Sequence, residues 1–347
     1  MRYIGGKRLL NDKIFEMVNG KTGQSSSFID IFAGSGSVSN YIKSKGYKVA
    51  ANDILYFSYS ILRGSVAHNT RPGFKKLSKI GIENPVAYLN SIELNPGKYG
   101  ICSEELFIYN NYSPNEGCSR MYLRPENALK IDIVRIMINR WRNEGLTAEN
   151  EYYYLLGSII AGVPWVSNIT GTYGAYLKHW DKRTFNGYKL IEPELFDNNV
   201  INCCYNEDAN ELIKKIGGDI LYIDPPYNER QYLPNYHLLE TVARYDYPSI
   251  SGVTGLRGYS SEKSLYCQKS SAARVFDELI SNADFKYVIV SYNNEGIMST
   301  EELSEILMRH ARPNTFLLQE FDYRRYKNKI PNHISGLKEQ LYFIERK

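Results

Sequence analysis

FIDIFAGSGSV, residues 28–38, decides how the chain folds. Phe28 to Phe32 is an apolar run broken by a single acid, the length of a buried strand, and from Ser37 onward apolar residues return at helical spacing. Between the two, Gly34 and Gly36 allow the backbone to come close to something lying over the carboxyl ends of the strands. Ser39 stands where the dinucleotide-binding pattern G-x-G-x-x-G wants its third glycine, so the loop alone suits a tight strand-to-helix turn equally well.

Outward from this loop, Leu9 to Val18 has helical spacing, SSFIDIF is the strand, Ser37 to Lys45 the helix, and YKVAAND a second strand. The order is that of a βαβ unit, whose strands run parallel with a right-handed crossover. Asp53 ends the second strand 17 residues after Gly36, where an acid would accept hydrogen bonds from ribose hydroxyls. A helix N-cap would use the same residue. Loop and acid together favour an adenosine-bearing ligand, NAD-like or S-adenosylmethionine, without choosing between them.

From residue 64 to 199 the apolar runs shorten and turn residues recur, in ENP, NPGKYG, YSPNEGCS, LRPEN and ITGTYG. One long helix, Glu126 to Arg142, stands out there. Alternation then resumes with GGDILYID, SSAARVFDELISN, FKYVIVSY, EELSEILMRHAR, TFLLQEF and LYFIER, read as strand, helix, strand, helix, strand, strand. The expected architecture is one open, mostly parallel α/β sheet, built from residues 1–63 and 200–347 and interrupted by an inserted domain at 64–199.

The stretch LYIDPPYNERQY, residues 221–232, narrows the chemistry. Its strand delivers Asp224 to the carboxyl edge, where open α/β sheets bind ligands. Pro225 and Pro226 fix their own φ angles, supply no N–H and restrict the residue before each of them, so the turn is rigid and its carbonyls are left to accept. A carboxylate beside a proline carbonyl suits both hydrogens of an exocyclic NH2 group, and Tyr227 offers a flat face for stacking a ring. A proline-rich turn with a capping aspartate is the structural alternative for these four residues alone.

FAGSG followed by DPPY resembles the DNA methyltransferases that modify the exocyclic amine of adenine; the related cytosine-amine enzymes more often carry Ser at the first position. The order YIGGK, FAGSG, an acid, an insertion and DPPY is similar to the alpha-group, Dam-like (D12 class) enzymes, and DPPYNERQY with VIVSYNNEGIMS resembles the subgroup of type IIS restriction-modification systems. The resemblance implies a Rossmann-like sheet that binds S-adenosylmethionine and an insertion that recognises the target. It implies catalytic roles for Asp224, Pro225, Pro226 and Tyr227. It further places Tyr3, Gly5 and Lys7 at the methionine end of the cofactor, Lys7 toward its carboxylate. Asp30, Phe32, Gly34 and Gly36 would then line the loop, with Asp53 at the ribose and Asp208 at the adenine amine. Three rival readings are an NAD-dependent oxidoreductase, a methyltransferase acting on RNA adenine or a protein amide, and a DNA-binding regulator that kept the fold without catalysis.

Double-stranded DNA needs basic contacts, and three places offer them: Lys178, Lys182 and Arg183 in LKHWDKR, Arg230 after DPPY, and Arg324, Arg325 and Lys327 in YRRYKNK between the last two strands. A formal charge of +4 over 347 residues is compatible with such patches without demanding them. The five cysteines show no CxxC pair or histidine at metal spacing, which suits reduced thiols and no structural metal. MRYIGGKRLLND lacks the apolar region of a signal peptide, and the uncharged stretch 152–177 is broken by Pro164 and by glycines, so it reads as a buried helix and a loop rather than a membrane span. A cytoplasmic enzyme is expected, with any restriction endonuclease partner encoded on another chain.

Overall fold

The structure, a computed structural model, describes residues 6–322 and 336–347. Seven strands form the main sheet: β1 (Ser27–Asp30), β2 (Lys48–Asn52), β3 (Cys203–Tyr205), β4 (Gly217–Ile223), β5 (Asp284–Asn293), β6 (Leu317–Asp322) and β7 (Lys338–Glu345). Their order is β3-β2-β1-β4-β5-β7-β6. The pairings from β3 to β5 are parallel, and β7 runs antiparallel to both β5 and β6. The helices that matter for the site are α1 (Asn11–Lys21), α2 (Ser37–Ser44), α3 (Tyr56–Ser65), α4 (Pro125–Asn143), α5 (Glu149–Gly162), α6 (Tyr232–Arg244), α7 (Ala272–Asn282) and α8 (Thr300–His310).

Both faces of the sheet are buried, which is why its central strands read as continuous apolar runs. Phe28, Ile220, Tyr222, Ile289, Leu341 and Phe343 pack on one face with Leu10, Ile14 and Ile42 of the first helical segments. Their neighbours Ile29, Leu221, Ile223, Val288, Val290 and Tyr342 point the other way, against Val275, Phe276 and Leu279 of α7 and Leu303 of α8. This alternation is the period-2 rule of a strand, and it fixes which face each residue at a strand end serves.

The helices and central strands expected from the sequence are present, and among the elements added three bear on the site. β3 is a three-residue edge strand of half-buried residues, too short for a periodic signal. Helix α3 follows Asp53, and α6 follows the proline turn. The region 64–199 is not packed as a separate body. Ile131, Val134, Leu155, Leu156 and Ile159 share a core with Leu55 and Phe57 at the start of α3 and with Tyr236, Leu239 and Val242 of α6. Buried Arg135 of α4 donates from Nε to the Val242 carbonyl at 2.8 Å and from a terminal nitrogen to the Ala243 carbonyl at 2.7 Å. These are carbonyls of the last turn of α6, which has no later amide to receive.

The glycine loop is held by the same packing. Gly34 and Gly36 have φ of 53° and 74°, in the left-handed region. A Cβ on Gly36 would lie 2.8 Å from Leu62 Cδ2 of α3 and 3.2 Å from Asn40 Nδ2. Gly36→Ala therefore combines left-handed strain with overpacking and should destabilise the fold by roughly 2–4 kcal/mol. A denaturant midpoint matching that of the unmutated protein would contradict this account of the loop.

Candidate active site

Sheet order explains where the site is. The loop after β1, Asp53 after β2 and the turn after β4 all emerge at the carboxyl edge of adjacent parallel strands, and a cleft with about 1030 Å³ of empty space, part of it open to solvent, runs between them. Of the residues expected at the site, Lys7, Asp30, Phe32, Gly34, Asp53, Asp208, Asp224, Pro226 and Tyr227 line this cleft. Gly36 and Pro225 stand behind the lining, Gly36 as the residue before α2 and Pro225 buried in the turn. Tyr3 and Gly5 lie outside the described residues.

The N-cap of α3 is Leu55 and not Asp53, which faces the cleft. Its Oδ2 accepts the Gly34 N–H at 2.8 Å and its Oδ1 the Leu55 N–H at 2.8 Å, so it ties the glycine loop to the entrance of α3 while facing the cleft. Burial raises its pKa to about 7, against the lowering effect of those two hydrogen bonds. Asp208 is exposed and caps a short helix, accepting the Asn210 and Glu211 N–H groups at 2.8 and 3.2 Å on Oδ1. Asp30 is buried, and its Oδ2 accepts the Ser39 hydroxyl at 2.7 Å, so Ser39 in place of a third glycine has a partner in the loop's own strand.

Asp30 Oδ1 is buried with no hydrogen-bond partner. Burial first, then the negative charges of Asp224 and Asp53, raise the Asp30 pKa to about 7 despite the Ser39 hydrogen bond. A folded pKa above the unfolded value makes ionisation costly to the fold, and that cost grows as pH rises from about 4 through 7. Asp30→Asn should accordingly melt higher than the unmutated protein at pH 8, with the difference shrinking toward pH 5. A difference that is absent at pH 8, or that widens in acid, would refute this electrostatic picture.

Asp224 sits one residue past β4. Burial pushes its pKa up most, Lys7 pulls it down, Glu339 pushes it up again, and the result is about 7. Lys7 Nζ lies 3.4 Å from Asp224 Oδ1 and 2.8 Å from Glu339 Oε2, with both Lys7 and Glu339 buried. Burial disfavours the ammonium, but Asp224 and Glu339 outweigh it and hold the Lys7 pKa above the ordinary lysine value. Lys7 also lies 5.9 Å from the ring centre of Tyr227. Tyr227 is 8 % exposed, and its carbonyl accepts the Ile297 N–H at 3.0 Å, which pins the turn to the segment after β5.

The sequence did not announce several wall residues. Tyr266 meets Phe32 edge-on, with ring centres 5.0 Å apart, and donates to Asn210 Oδ1 at 2.7 Å. Gln231 brackets Ser264, donating to its carbonyl at 3.0 Å and accepting its N–H at 2.8 Å, which closes the wall opposite the glycine loop. Glu339 comes from the last strand. Gln231 belongs to the DPPYNERQY stretch; Tyr266 reaches the wall, and Glu339 reaches Lys7 from outside the lining, only through tertiary packing.

The basic residues separate into groups. Lys178, Lys182 and Arg230 are exposed, as a phosphate contact requires. Arg183 is half-buried and tied internally, donating to Asp181 Oδ1 at 3.1 Å and to the Ile169 carbonyl at 3.0 Å, so its charge is already engaged. Arg324, Arg325 and Lys327 lie outside the described residues. Among the described residues no cluster of His, Cys, Asp and Glu could hold a metal ion, and no helix is long and apolar enough to cross a membrane.

Whether S-adenosylmethionine fits can be asked of the residues themselves. The cleft presents a glycine turn, the unpartnered Asp30 oxygen, Asp53 and Asp208 in sequence along one edge, a donor set suited to a ligand carrying an ammonium, ribose hydroxyls and an adenine amine. Continuous with it is the rigid Asp-Pro-Pro-Tyr turn. A parallel sheet with these two half-sites side by side defines a methyltransferase-type α/β fold. Residues 3–306 match the family described as D12 class N6 adenine-specific DNA methyltransferase, and the chain belongs to that family.

The chain is 48% identical over 347 residues to the type II methyltransferase M.FokI of Planomicrobium okeanokoites and 43% identical over 348 residues to the modification methylase StsI of Streptococcus sanguinis. In both cases all of this chain is covered, but it spans about half the length of those relatives, 53% and 52%. It is also 40% identical over 331 residues to the type II methyltransferase M.NlaIII of Neisseria lactamica, covering 94% of this chain and 92% of the relative. Family membership removes the oxidoreductase alternative.

Proposed function

We propose that the protein methylates the exocyclic amine of an adenine within a specific double-stranded DNA sequence, using S-adenosylmethionine, as the modification activity of a restriction-modification system in the cytoplasm. The observation that carries the reading is the continuity of the glycine-loop half of the cleft with Asp224, Pro226 and Tyr227 in one cavity. Bound there, the cofactor supplies an electrophilic methyl group on a sulfonium. Asp30, Phe32, Gly34, Asp53 and Asp208 would hold it, with Gly36 shaping the loop, while the Lys7 ammonium is engaged by Glu339 and Asp224.

The chain's own contribution is to hold the amine. Adenine's NH2 is a weak nucleophile because its lone pair is delocalised into the ring. Asp224 and the Pro225 carbonyl accept its two hydrogens, which favours a pyramidal nitrogen, and Asp224 stabilises the positive charge that develops there. Positioning of this kind accounts for much of the acceleration in a simple displacement. The amine is inaccessible within a stacked duplex, so the base is extruded at a cost of a few kcal/mol and received against Tyr227. Residues 64–199 recognise the target, Lys178, Lys182 and Arg230 contact phosphate, and a cognate restriction endonuclease resides on a separate chain.

The test is to incubate the protein with labelled S-adenosylmethionine and duplex DNA of random sequence and to digest the DNA to nucleosides. Label in N6-methyl-2′-deoxyadenosine is the expected result, with sequencing of an undigested portion placing the modification at one sequence. Label that stays off the DNA, or appears on cytosine, overturns the reading.

A further inference from the structure

Glu339 lies beyond the stretch 3–306 matched by the family and 115 positions after Asp224 in the chain. Sheet topology nevertheless brings the two together. β4 runs parallel to its neighbours and delivers Asp224 at its end; β7 runs antiparallel to β5, with Glu339 opposite Asn293, so it delivers a residue to the same edge at its beginning. Side-chain alternation then selects the face. Tyr222 of β4 and Leu341 of β7 pack in the same cluster, and continuing each strand by two positions, forward from Tyr222 and backward from Leu341, puts Asp224 and Glu339 on that face. Leu10, Ile14 and Val18 cover it, and Lys7 enters just before them. The ammonium of Lys7 is thereby enclosed, 2.8 Å from Glu339 Oε2 and 3.4 Å from Asp224 Oδ1.

We propose that Glu339 is a positioning residue for methyl transfer: it anchors the buried Lys7 ammonium so that Lys7 orients the Asp224 carboxylate, engaging Oδ1 and leaving Oδ2 to accept the adenine amine. The inference rests on the function proposed above and adds a residue to it. Distance supports the assignment, because Lys7 is closer to Glu339 than to Asp224. Without its anchor the ammonium would close on Asp224, compete with the amine for both oxygens and weaken the carboxylate as an acceptor. Glu339 also balances charge. Asp224 faces Lys7 from the N-terminal segment, Glu339 from β7, Asp30 from β1, Tyr222 from its own strand, and Tyr227 and Tyr232 from the turn and α6. Of these Lys7 alone favours the ionised form, while the Glu339 charge opposes it.

The experiment measures single-turnover methyl transfer between pH 5 and 9 in the unmutated protein, Glu339→Gln and Glu339→Asp, with separate binding measurements for S-adenosylmethionine and duplex DNA. Glu339→Gln should slow transfer roughly 10- to 100-fold at pH 8, as misplacement at a reacting centre does. Binding of both ligands should be unchanged, and the acid limb of the profile should move to lower pH. Glu339→Asp keeps the charge but is one methylene short; it should also slow transfer while the acid limb stays in place. A glutamate that only supports folding would lower the melting temperature and leave the limb unmoved in both variants, overturning the inference. Should Glu339→Gln fail to fold, Glu339→Asp transferring at the full rate overturns it equally. Unmutated protein that methylates no adenine overturns the proposed function itself, whereas active unmutated protein with an indistinguishable Glu339→Gln variant overturns only the role of Glu339.

Discussion

Asp224→Ala is expected to lose methyl transfer by on the order of 10³-fold, while S-adenosylmethionine binding changes little. In the proposed reaction the carboxylate is the acceptor aimed at the amine, and removing a preorganised group that stabilises charge in the transition state costs about 10²–10³-fold or more. The cofactor half of the cleft is held by other bonds, those of Asp53 to Gly34 and Leu55 and of Ser39 to Asp30, which the substitution leaves alone. Kinetically the loss belongs in kcat and not in the KM for cofactor, the pattern of an interaction made in the transition state. In the unmutated protein the same carboxylate must be ionised to accept, so the rate should fall in acid as pH passes below about 7, its raised pKa. Transfer by Asp224→Ala within tenfold of the unmutated rate would remove Asp224 from the chemistry.

Asp53→Ala is expected to fail in the opposite way. Two amides, those of Gly34 and Leu55, lose their charged acceptor at once, and hydrogen bonds to charged groups contribute about 1.5–3 kcal/mol each. The glycine loop keeps its packing, the Ala33 N–H to Asn52 carbonyl and Gly36 N–H to Ala33 carbonyl bonds and the Ser39–Asp30 bond, none of which engages the Gly34 amide. Cofactor affinity should drop at least about tenfold, the equivalent of roughly 1.4 kcal/mol. At saturating cofactor much of the transfer rate should return, because Asp224 and its turn are untouched. Calorimetric titration with S-adenosylmethionine decides it; an affinity equal to that of the unmutated protein would show that the loop needs no such tie.

Legibility followed chain proximity. FIDIF, YKVAAND, GGDILYID and FKYVIVSY read as strands because both faces of the sheet are covered and their runs are mostly apolar. Helix α3 was missed since YFSYSILRGS mixes serine, tyrosine and glycine, residues whose burial depends on α5 packing over them. Helix α6 was missed since Pro234 in its first turn extends the appearance of the turn before it, although proline is tolerated there. The two half-sites could be read because each is a local turn with its own stereochemical demands. Glu339 and Tyr266 could not, for one reaches Lys7 through a strand reversal and the other reaches the cleft on a returning loop, and no short pattern encodes that. Asp53 offered two competing uses from sequence, ligand acid and cap; Glu240 takes the first amides of α3 instead, and Asp53 ties the glycine loop to Leu55 while facing the cleft.

The docking of Arg135 on the last carbonyls of α6 bears on any attempt to graft residues 64–199 from one relative onto another, the exchange by which the proposed recognition role would be tested. Such a chimaera severs more than a surface seam: it must import a partner for the Val242 and Ala243 carbonyls and an apolar counterpart for Leu55 and Phe57, or the helix immediately behind the catalytic turn frays. Residues 64–199 and the helices α3 and α6 share one wall here, and a graft is expected to fold when both helices travel with it.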